Sequence, residues 1–102
     1  DGARRCRVSL RFSPAAERDL EEIADYIAQD NPRRALSFIA ELRQTAADIK
    51  SNPLAWPERS DLLPGLRMRP FGQYLVFYRT DQNSVRIERI LHASRDIGGG
   101  NV

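Results

Sequence analysis

The stretch YLVFYRTDQNSVRIERILH, residues 74–92, contains two strand-like runs joined by a short polar connection. Residues 74–80 are apolar on both faces, which is typical of a central strand. The run 85–92 begins by alternating, with Val85 and Ile87 directed inward. The polar residues 81–84 between these runs predict a hairpin, so we expect two antiparallel strands at the centre of a sheet.

The alternation of the second run slips after Ile87. Arg89 falls where an apolar residue is due, and Ile90 and Leu91 are adjacent. This pattern predicts either a β-bulge or an arginine that a specific partner holds on the sheet face.

A third strand-like run, LRMRPF, precedes the hairpin at residues 66–71. Its alternation predicts that Leu66 and Met68 point inward and that Arg67 and Arg69 point outward. Residues 53–65 contain three prolines and a glycine and therefore predict a loop. We expect Trp56 and Leu63 to pin this loop to the core.

Two amphipathic helices are predicted further upstream. Ser13-Pro14 is a helix start signal, and apolar residues then recur at helical spacing through Ala28. Asn31-Pro32 repeats the signal for a second helix, which Asn52-Pro53 ends. Because the break between the helices is so short, we expect an antiparallel helical hairpin.

The first run, RVSLRF at residues 7–12, alternates as a half-buried strand, with Val8, Leu10 and Phe12 on one face. The element order is therefore βααβββ. It predicts an α+β domain in which the helical hairpin packs on one face of a small, mainly antiparallel four-stranded sheet, with the first strand at an edge. The other face would carry arginines among apolar groups and so offer a surface for a partner; these arginines are Arg11, Arg67, Arg69 and Arg86.

Composition limits the function further. We expect a single domain at residues 1–97 and a flexible glycine-rich tail at 98–102. The single cysteine and single histidine predict neither a disulfide nor a metal site, and no cofactor is expected. The absence of a long apolar run and of a secretory signal in this sequence favours a cytoplasmic protein. Fifteen of the 16 basic residues are arginine, which favours bidentate contacts with carboxylates or phosphates.

The segments SPAAERDLEEIADYI, ALSFIAEL, GLRMRPFGQYLVFYR and VRIERILHASRDI resemble the ParE branch of the RelE/ParE toxin superfamily. The resemblance covers about residues 8–97. It implies a toxin of a type II toxin–antitoxin module that binds a ParD-like antitoxin and inhibits DNA gyrase without catalysis, with no sequence-specific binding to nucleic acid. The residues that carry the family signature are Tyr74, Phe77, Tyr78, Arg79, Arg89, His92, Arg95 and Asp96.

RelE-type members of the superfamily cut messenger RNA on the ribosome, and this is the alternative function. Such cleavage needs proton-transfer groups and cations. His92 with Tyr74 or Tyr78 could supply the proton-transfer groups. The cations would come from Arg79, Arg89 or Arg95. However, RelE-type nucleases commonly carry an arginine where this chain has Tyr74, and the C-terminal segment that usually adds catalytic groups is replaced by GGGNV. No catalytic residue is therefore predicted. A degenerate member without toxin activity is a third reading.

Structural roles account for most of the signature. We expect His92 to be a strand-end residue bonded to backbone or a carboxylate, and Arg79 to form a salt bridge with an acid of the first helix. Arg95 and Asp96 would close a C-terminal turn. Tyr74, Phe77 and Tyr78 would pack in the core or on the sheet, and the acidic run at 14–31 would be a solvated helix face. The residues predicted to bind the antitoxin, across the sheet and its edge, are Leu10, Arg11, Arg67, Arg69 and Arg86.

Overall fold

A computed structural model describes residues 9–81 and 84–94, which form four strands and two helices in the predicted order. The elements are β1 (Ser9–Phe12), α1 (Pro14–Asp30), α2 (Pro32–Ser51), β2 (Arg67–Phe71), β3 (Tyr74–Asp81) and β4 (Ser84–His92). The predictions for residues 1–8 and 95–102, including the contact between Arg95 and Asp96 and the C-terminal tail, lie outside the described residues.

The helix ends follow from the capping residues. The Ser13 hydroxyl accepts the Ala16 N–H at the start of α1, with Pro14 in the first turn. Asn31 ends α1 and caps α2, because its N–H donates to Ile27 and its side chain accepts from Arg34. One residue therefore joins the two helices, and the predicted hairpin is confirmed.

The sheet has the strand order β1-β4-β3-β2. The pairs β2–β3 and β3–β4 are antiparallel, as predicted, whereas β1 pairs with β4 in parallel. The sheet is therefore mixed, with β1 at one edge and β2 at the other. The parallel pair is possible because the helical hairpin carries the chain back across the sheet before β2 begins.

The core lies between the helical hairpin and one face of the sheet. It joins helix residues such as Leu20, Phe38, Leu42 and Ile49 to strand residues that are almost fully buried. Burial of each large apolar side chain contributes about 1.5 to 3 kcal/mol to folding. Tyr78 is also fully buried, and its hydroxyl donates to the Pro53 carbonyl at 2.7 Å, so the central strand is fixed to the end of α2.

A β-bulge interrupts the pairing of β3 with β4. Tyr78 pairs with Ile87 and Phe77 with Arg89, so Glu88 is the extra residue. Because of this insertion Ile87 and Ile90 both reach the core, and the predicted bulge is confirmed.

The predicted orientation of β2 is wrong. Arg67 pairs with Tyr78 and Arg69 with Val76, so both arginines lie on the helix-side face of the sheet. Trp56 explains this arrangement, because its carbonyl accepts from the Arg67 guanidinium and its ring lies 4.9 Å from the Arg69 guanidinium carbon. The arginines therefore cover the core at the edge strand, beyond the part of the sheet over which the helices mainly pack.

The loop before β2 is only partly pinned as predicted. Trp56 packs against the core, but Leu63 is 45% exposed and is not an anchor. Leu66 is buried instead, because the loop folds over the outer face of the sheet and Leu66 lies there beside Phe77.

Candidate functional site

The edge of β4 pairs with β1 only up to Ile87, and beyond it this edge is bonded by residues at and after the end of β1. The Ser13 N–H donates to the Ile87 carbonyl at 2.9 Å, and the Ser13 hydroxyl donates to the Glu88 carbonyl at 2.8 Å. Six residues later, an Asp19 carboxylate oxygen accepts the Ile90 N–H at 2.9 Å. Ser13, the N-cap residue of α1, and Asp19 within the helix thus provide hydrogen bonds to the edge of β4 beyond the end of the short β1.

Asp19 also holds Arg89 in a bidentate contact. The Arg89 Nε and Nη2 atoms lie 2.7 and 3.0 Å from the two carboxylate oxygens. Hydrogen bonding of the Arg89 guanidinium to the Asp19 carboxylate is the main cause that raises the Arg89 pKa above its ordinary value. The arginine that interrupts the alternation of β4 is therefore held by a specific partner.

The predicted salt bridge between Arg79 and the first helix is wrong. Arg79 Nε lies 3.7 Å from a carboxylate oxygen of Glu88 in β4, and the acid of α1 pairs with Arg89 instead. The bulge is the reason, because it directs Arg89 to the open edge of β4, where α1 passes.

His92 ends β4 in a local network. Its Nδ1 accepts the Ser94 N–H at 3.1 Å, and its Nε2 lies 3.4 Å from the Gln73 amide oxygen. In the neutral ring the proton then sits on Nε2. The Tyr74 ring meets the imidazole edge to face, with centroids 5.0 Å apart. The predicted strand-end histidine with a backbone partner is confirmed.

Only some of the groups proposed for RNA cleavage are brought together in the described part of the chain. Tyr74, Arg89 and His92 line one pocket, whereas Tyr78 and Arg79 lie elsewhere. The pocket beside His92 includes Tyr74, but also the carboxylates of Asp19 and Glu22. Arg89 reaches this pocket with its charge already paired to Asp19. Tyr78 is buried in the core, where burial raises its pKa, and Arg79 lies on the opposite face of the sheet. Arg95 lies outside the described residues.

The outer face of the sheet, away from the helices, contains an open groove of about 630 Å³. We call it the outer groove. Its walls are largely apolar and come from the loop before β2, from β3 and from the end of β4; they include Leu62, Leu63, Leu66, Phe77 and Leu91. Arg79, Arg86 and Glu88 form its charged side, and the start of α1 closes one end.

Three arginines cross this face in one register. Arg11 in β1 pairs with Arg86 in β4, and Arg86 pairs with Arg79 in β3. We call these residues the arginine row. Glu88 contributes the carboxylate nearest to two of them, with oxygen-to-nitrogen distances of 3.7 Å to Arg79 and 3.8 Å to Arg86. The sequence pattern identified Arg11 and Arg86 but not Arg79 as surface candidates, because the row depends on the pairing of β1 with β4.

The five residues predicted to bind an antitoxin divide between the two faces. Arg11 and Arg86 belong to the arginine row, whereas Leu10 packs against the core. Arg67 and Arg69 lie on the helix side beside Trp56. The structure does not bring these residues into one patch, and their role in binding stays a prediction.

Comparison with known proteins now identifies the family. Residues 10–97 match the profile of the family described as the ParE toxin of the type II toxin–antitoxin system parDE. The chain belongs to the ParE toxin family. It is therefore a toxin of the type II class, and the signature side chains of this ParE protein between Tyr74 and His92 make the packing contacts, strand pairs and ion pairs described above.

Solved structures agree with this assignment. The chain is similar to a chain of the chromosomal ParDE system from P. aeruginosa, with a TM-score of 0.75, 20% identity, and coverage of 85% of this chain and 97% of that chain. It is also similar to a chain of the toxin–antitoxin complex RelBE2 from Mycobacterium tuberculosis, with a TM-score of 0.62, 27% identity, and coverage of 84% and 98%. No curated protein sequence matches the chain.

Two classes of feature are missing from residues 9–81 and 84–94. No group of three or more histidine, cysteine or acidic side chains is arranged to hold a metal ion within these ranges. Neither described helix has the length and apolar character needed to cross a membrane.

Proposed function

We propose that this ParE-family toxin acts on DNA gyrase by direct protein binding, without catalysis, in the bacterial cytoplasm. A ParD-like antitoxin would neutralise it by binding the toxin. The observation that carries the proposal is the match to the ParE family over residues 10–97. Both similar structures come from toxin–antitoxin systems, which supports an antitoxin as the partner.

The electrostatics around His92 support a mechanism other than RNA cleavage. A phosphate that approached His92 would meet the Asp19 and Glu22 carboxylates of the same pocket. The arginine that lines this pocket among the described residues, Arg89, is engaged by Asp19 through two hydrogen bonds. Stabilisation of a pentacovalent phosphate requires donors directed at the developing charge, whereas this pocket contains two carboxylates, and one of them engages the arginine that lines it.

A supercoiling assay tests the proposal. Purified protein is added in increasing amounts to gyrase and relaxed plasmid, and we expect supercoiling to fall while cleaved plasmid accumulates. Pre-incubation with a cognate ParD-like antitoxin should restore supercoiling. Unchanged supercoiling and no cleaved plasmid at high excess of toxin would contradict the gyrase target.

The same preparations separate this function from ribosome-dependent cleavage. In a translation extract, transcript ends are mapped after addition of the wild type and of His92→Ala. We expect no new transcript ends with either protein and gyrase inhibition with both, provided that the variant is folded. Transcript cleavage that requires His92 would establish the nuclease function instead.

A further inference from the structure

We propose that the pocket between α1 and the ends of β3 and β4 binds an organic cation, a guanidinium or a substituted ammonium group. We call it the α1–β4 pocket. It measures about 650 Å³, and its walls include Glu22, Tyr26, Tyr74 and His92. The Glu22 carboxylate would pair with the cation, and the Tyr26 ring would pack against it. The inference goes beyond the proposed function, because it requires neither gyrase nor the antitoxin.

The α1–β4 pocket carries a negative charge that the fold leaves unpaired. Of its two carboxylates, that of Asp19 is buried and accepts hydrogen bonds from the Arg89 guanidinium and the Ile90 N–H. The charges of Asp19 and Arg89 therefore offset each other. Glu22 is exposed, and among residues 9–81 and 84–94 no basic group lies within ion-pair distance of its carboxylate. A cationic ligand would restore the charge balance.

Tyr26 supplies an open aromatic ring at the same place. Its side chain is 70% exposed, so the fold makes little use of the ring. Elsewhere the chain packs its own cations on rings: the Arg34 guanidinium carbon lies 5.8 Å from the Phe38 ring centre. That of Arg69 lies 4.9 Å from the Trp56 ring centre. In the part of the chain that the structure describes, no arginine or lysine takes such a position over Tyr26, which leaves this ring for a cation from outside.

The lining of the pocket is less suited to other classes of ligand. An anion would meet the Asp19 and Glu22 carboxylates. An apolar ligand would cover the Glu22 carboxylate without offering it a hydrogen bond, which is unfavourable. A metal ion would lack ligands, since no group of three or more histidine, cysteine or acidic side chains within the described ranges is arranged to hold one. An organic cation with N–H groups satisfies the carboxylate and also gains from the aromatic ring.

A guanidinium matches this combination of groups better than a simple ammonium does. Its plane can stack on the Tyr26 ring, and its forked N–H groups can bond both oxygens of the Glu22 carboxylate. An ammonium is a more strongly hydrated point charge and gives up more water on entry. The cation has two possible sources, an arginine side chain of a partner protein and a free polyamine, and a titration distinguishes them.

NMR titration of the ¹⁵N-labelled full chain tests this inference. The probes are a Gly-Arg-Gly peptide with blocked ends, the same peptide with neutral citrulline in place of arginine, spermidine, and inorganic phosphate. Binding is followed at the backbone amides of Tyr74, Ile90 and His92, three residues that line the pocket.

Two variants remove the groups that would hold the cation. Glu22→Gln removes the charge and Tyr26→Leu removes the ring. Both side chains are exposed, so we expect both variants to fold with thermal midpoints close to that of the wild type. The matched controls are Asp25→Asn, which removes an exposed carboxylate of the same helix outside the pocket, and Tyr26→Phe, which retains the ring.

We expect the arginine peptide to shift these amides, and the citrulline peptide and phosphate to leave them in place. Glu22→Gln should weaken binding at least about fivefold, because charge-assisted hydrogen bonds are lost. Tyr26→Leu should weaken it about threefold through loss of the cation–π contact, and both controls should bind as the wild type does. Tighter binding of the arginine peptide than of spermidine would identify a protein side chain as the ligand, and the reverse order a free polyamine.

Four results would overturn the inference. They are the absence of amide shifts with either cation, equal shifts with the citrulline peptide, phosphate shifts of the same amides, and wild-type affinity of both Glu22→Gln and Tyr26→Leu. Equal losses in Glu22→Gln and Asp25→Asn would also count against it, because they would show general attraction to an acidic helix instead of a site. The gyrase assay is independent of all these results.

Discussion

Tyr78 shows how a single side chain of the family signature acts in the fold. Its ring is fully buried between the helices and the sheet, and its hydroxyl donates to the Pro53 carbonyl. Burial disfavours the phenolate, which raises the Tyr78 pKa above the ordinary value of 10.0. The residue is therefore poorly suited to proton transfer and well suited to hold the loop after α2 on the central strand.

This raised pKa predicts loss of stability in alkali. Above about pH 10 the unfolded chain releases the Tyr78 proton while the folded chain retains it, so the free energy of unfolding falls as the pH rises. Urea unfolding between about pH 8 and about pH 11 should show a smaller fall for Tyr78→Phe than for the wild type. At neutral pH the variant should lose about 1 kcal/mol through the missing hydrogen bond.

Tyr26→Phe provides the control for this titration, because the Tyr26 ring is 70% exposed on α1. We expect it to follow the wild-type pH profile. Parallel profiles for the wild type and Tyr78→Phe would contradict a titration that is linked to this burial.

At the scale of elements, the junction of β1, α1 and β4 determines how the helices sit on the sheet. β1 has only four residues, and beyond it the edge of β4 is bonded by Ser13, the N-cap residue of α1, and by Asp19 within the helix. The helix caps were predictable because Ser13, Asn31 and Asn52 act on neighbours in sequence. The contacts of Asp19 were not predictable, because its partners Arg89 and Ile90 are 70 and 71 residues away along the chain.

Substitution of Asp19 should therefore cost more than the loss of a surface charge. Asp19→Ala leaves the buried Ile90 N–H without its acceptor, and we expect a loss of about 2 kcal/mol in the free energy of unfolding. Asp19→Asn retains an acceptor but loses the ion pair with Arg89, for which we expect about 1 kcal/mol.

Asp25→Asn removes an exposed carboxylate from the same helix and should change stability by less than about 0.5 kcal/mol. Urea denaturation gives all three values. Equal stabilities of Asp19→Asn and Asp25→Asn would show that the contact with Arg89 does not hold α1 to β4.

In the molecule as a whole, the element order and the helical hairpin were predictable from the sequence. The orientation of β2 and the arrangement of the surface arginines were not, because they depend on pairing between residues that are distant in the chain. The alternation of β2 was misinterpreted because Trp56, from a proline-rich loop, covers the edge of the core and draws Arg67 and Arg69 to that face. The slip after Ile87 correctly predicted the bulge, because an extra residue in a strand shifts the alternation of apolar and polar residues that follows it. The arginine row could not be predicted from the sequence, because it depends on which strand pairs with β1.

Hydrogen exchange should follow this architecture. The central strands β3 and β4 contain the most buried residues, so we expect the slowest amides at Val76 to Tyr78 and at Ile87 and Ile90. Amides of the edge strand β2 should exchange faster. The Ile90 amide should lose its protection in Asp19→Ala more than Val76 does. Uniform protection across β2 and β3, measured by NMR, would contradict the stability order given by the sheet.

The pairing of the first strand with the last also governs when this toxin becomes complete during synthesis. Ser9 aligns with Ser84, so the ribosome has to make most of the chain before β1 finds its neighbour. Contacts that span such a long stretch are the slow ones to form. A product that stops before β4 lacks the strand to which β1, β3 and α1 all attach, and it also lacks the middle of the arginine row. Interrupted translation thus yields fragments that can neither close the sheet nor present the outer face.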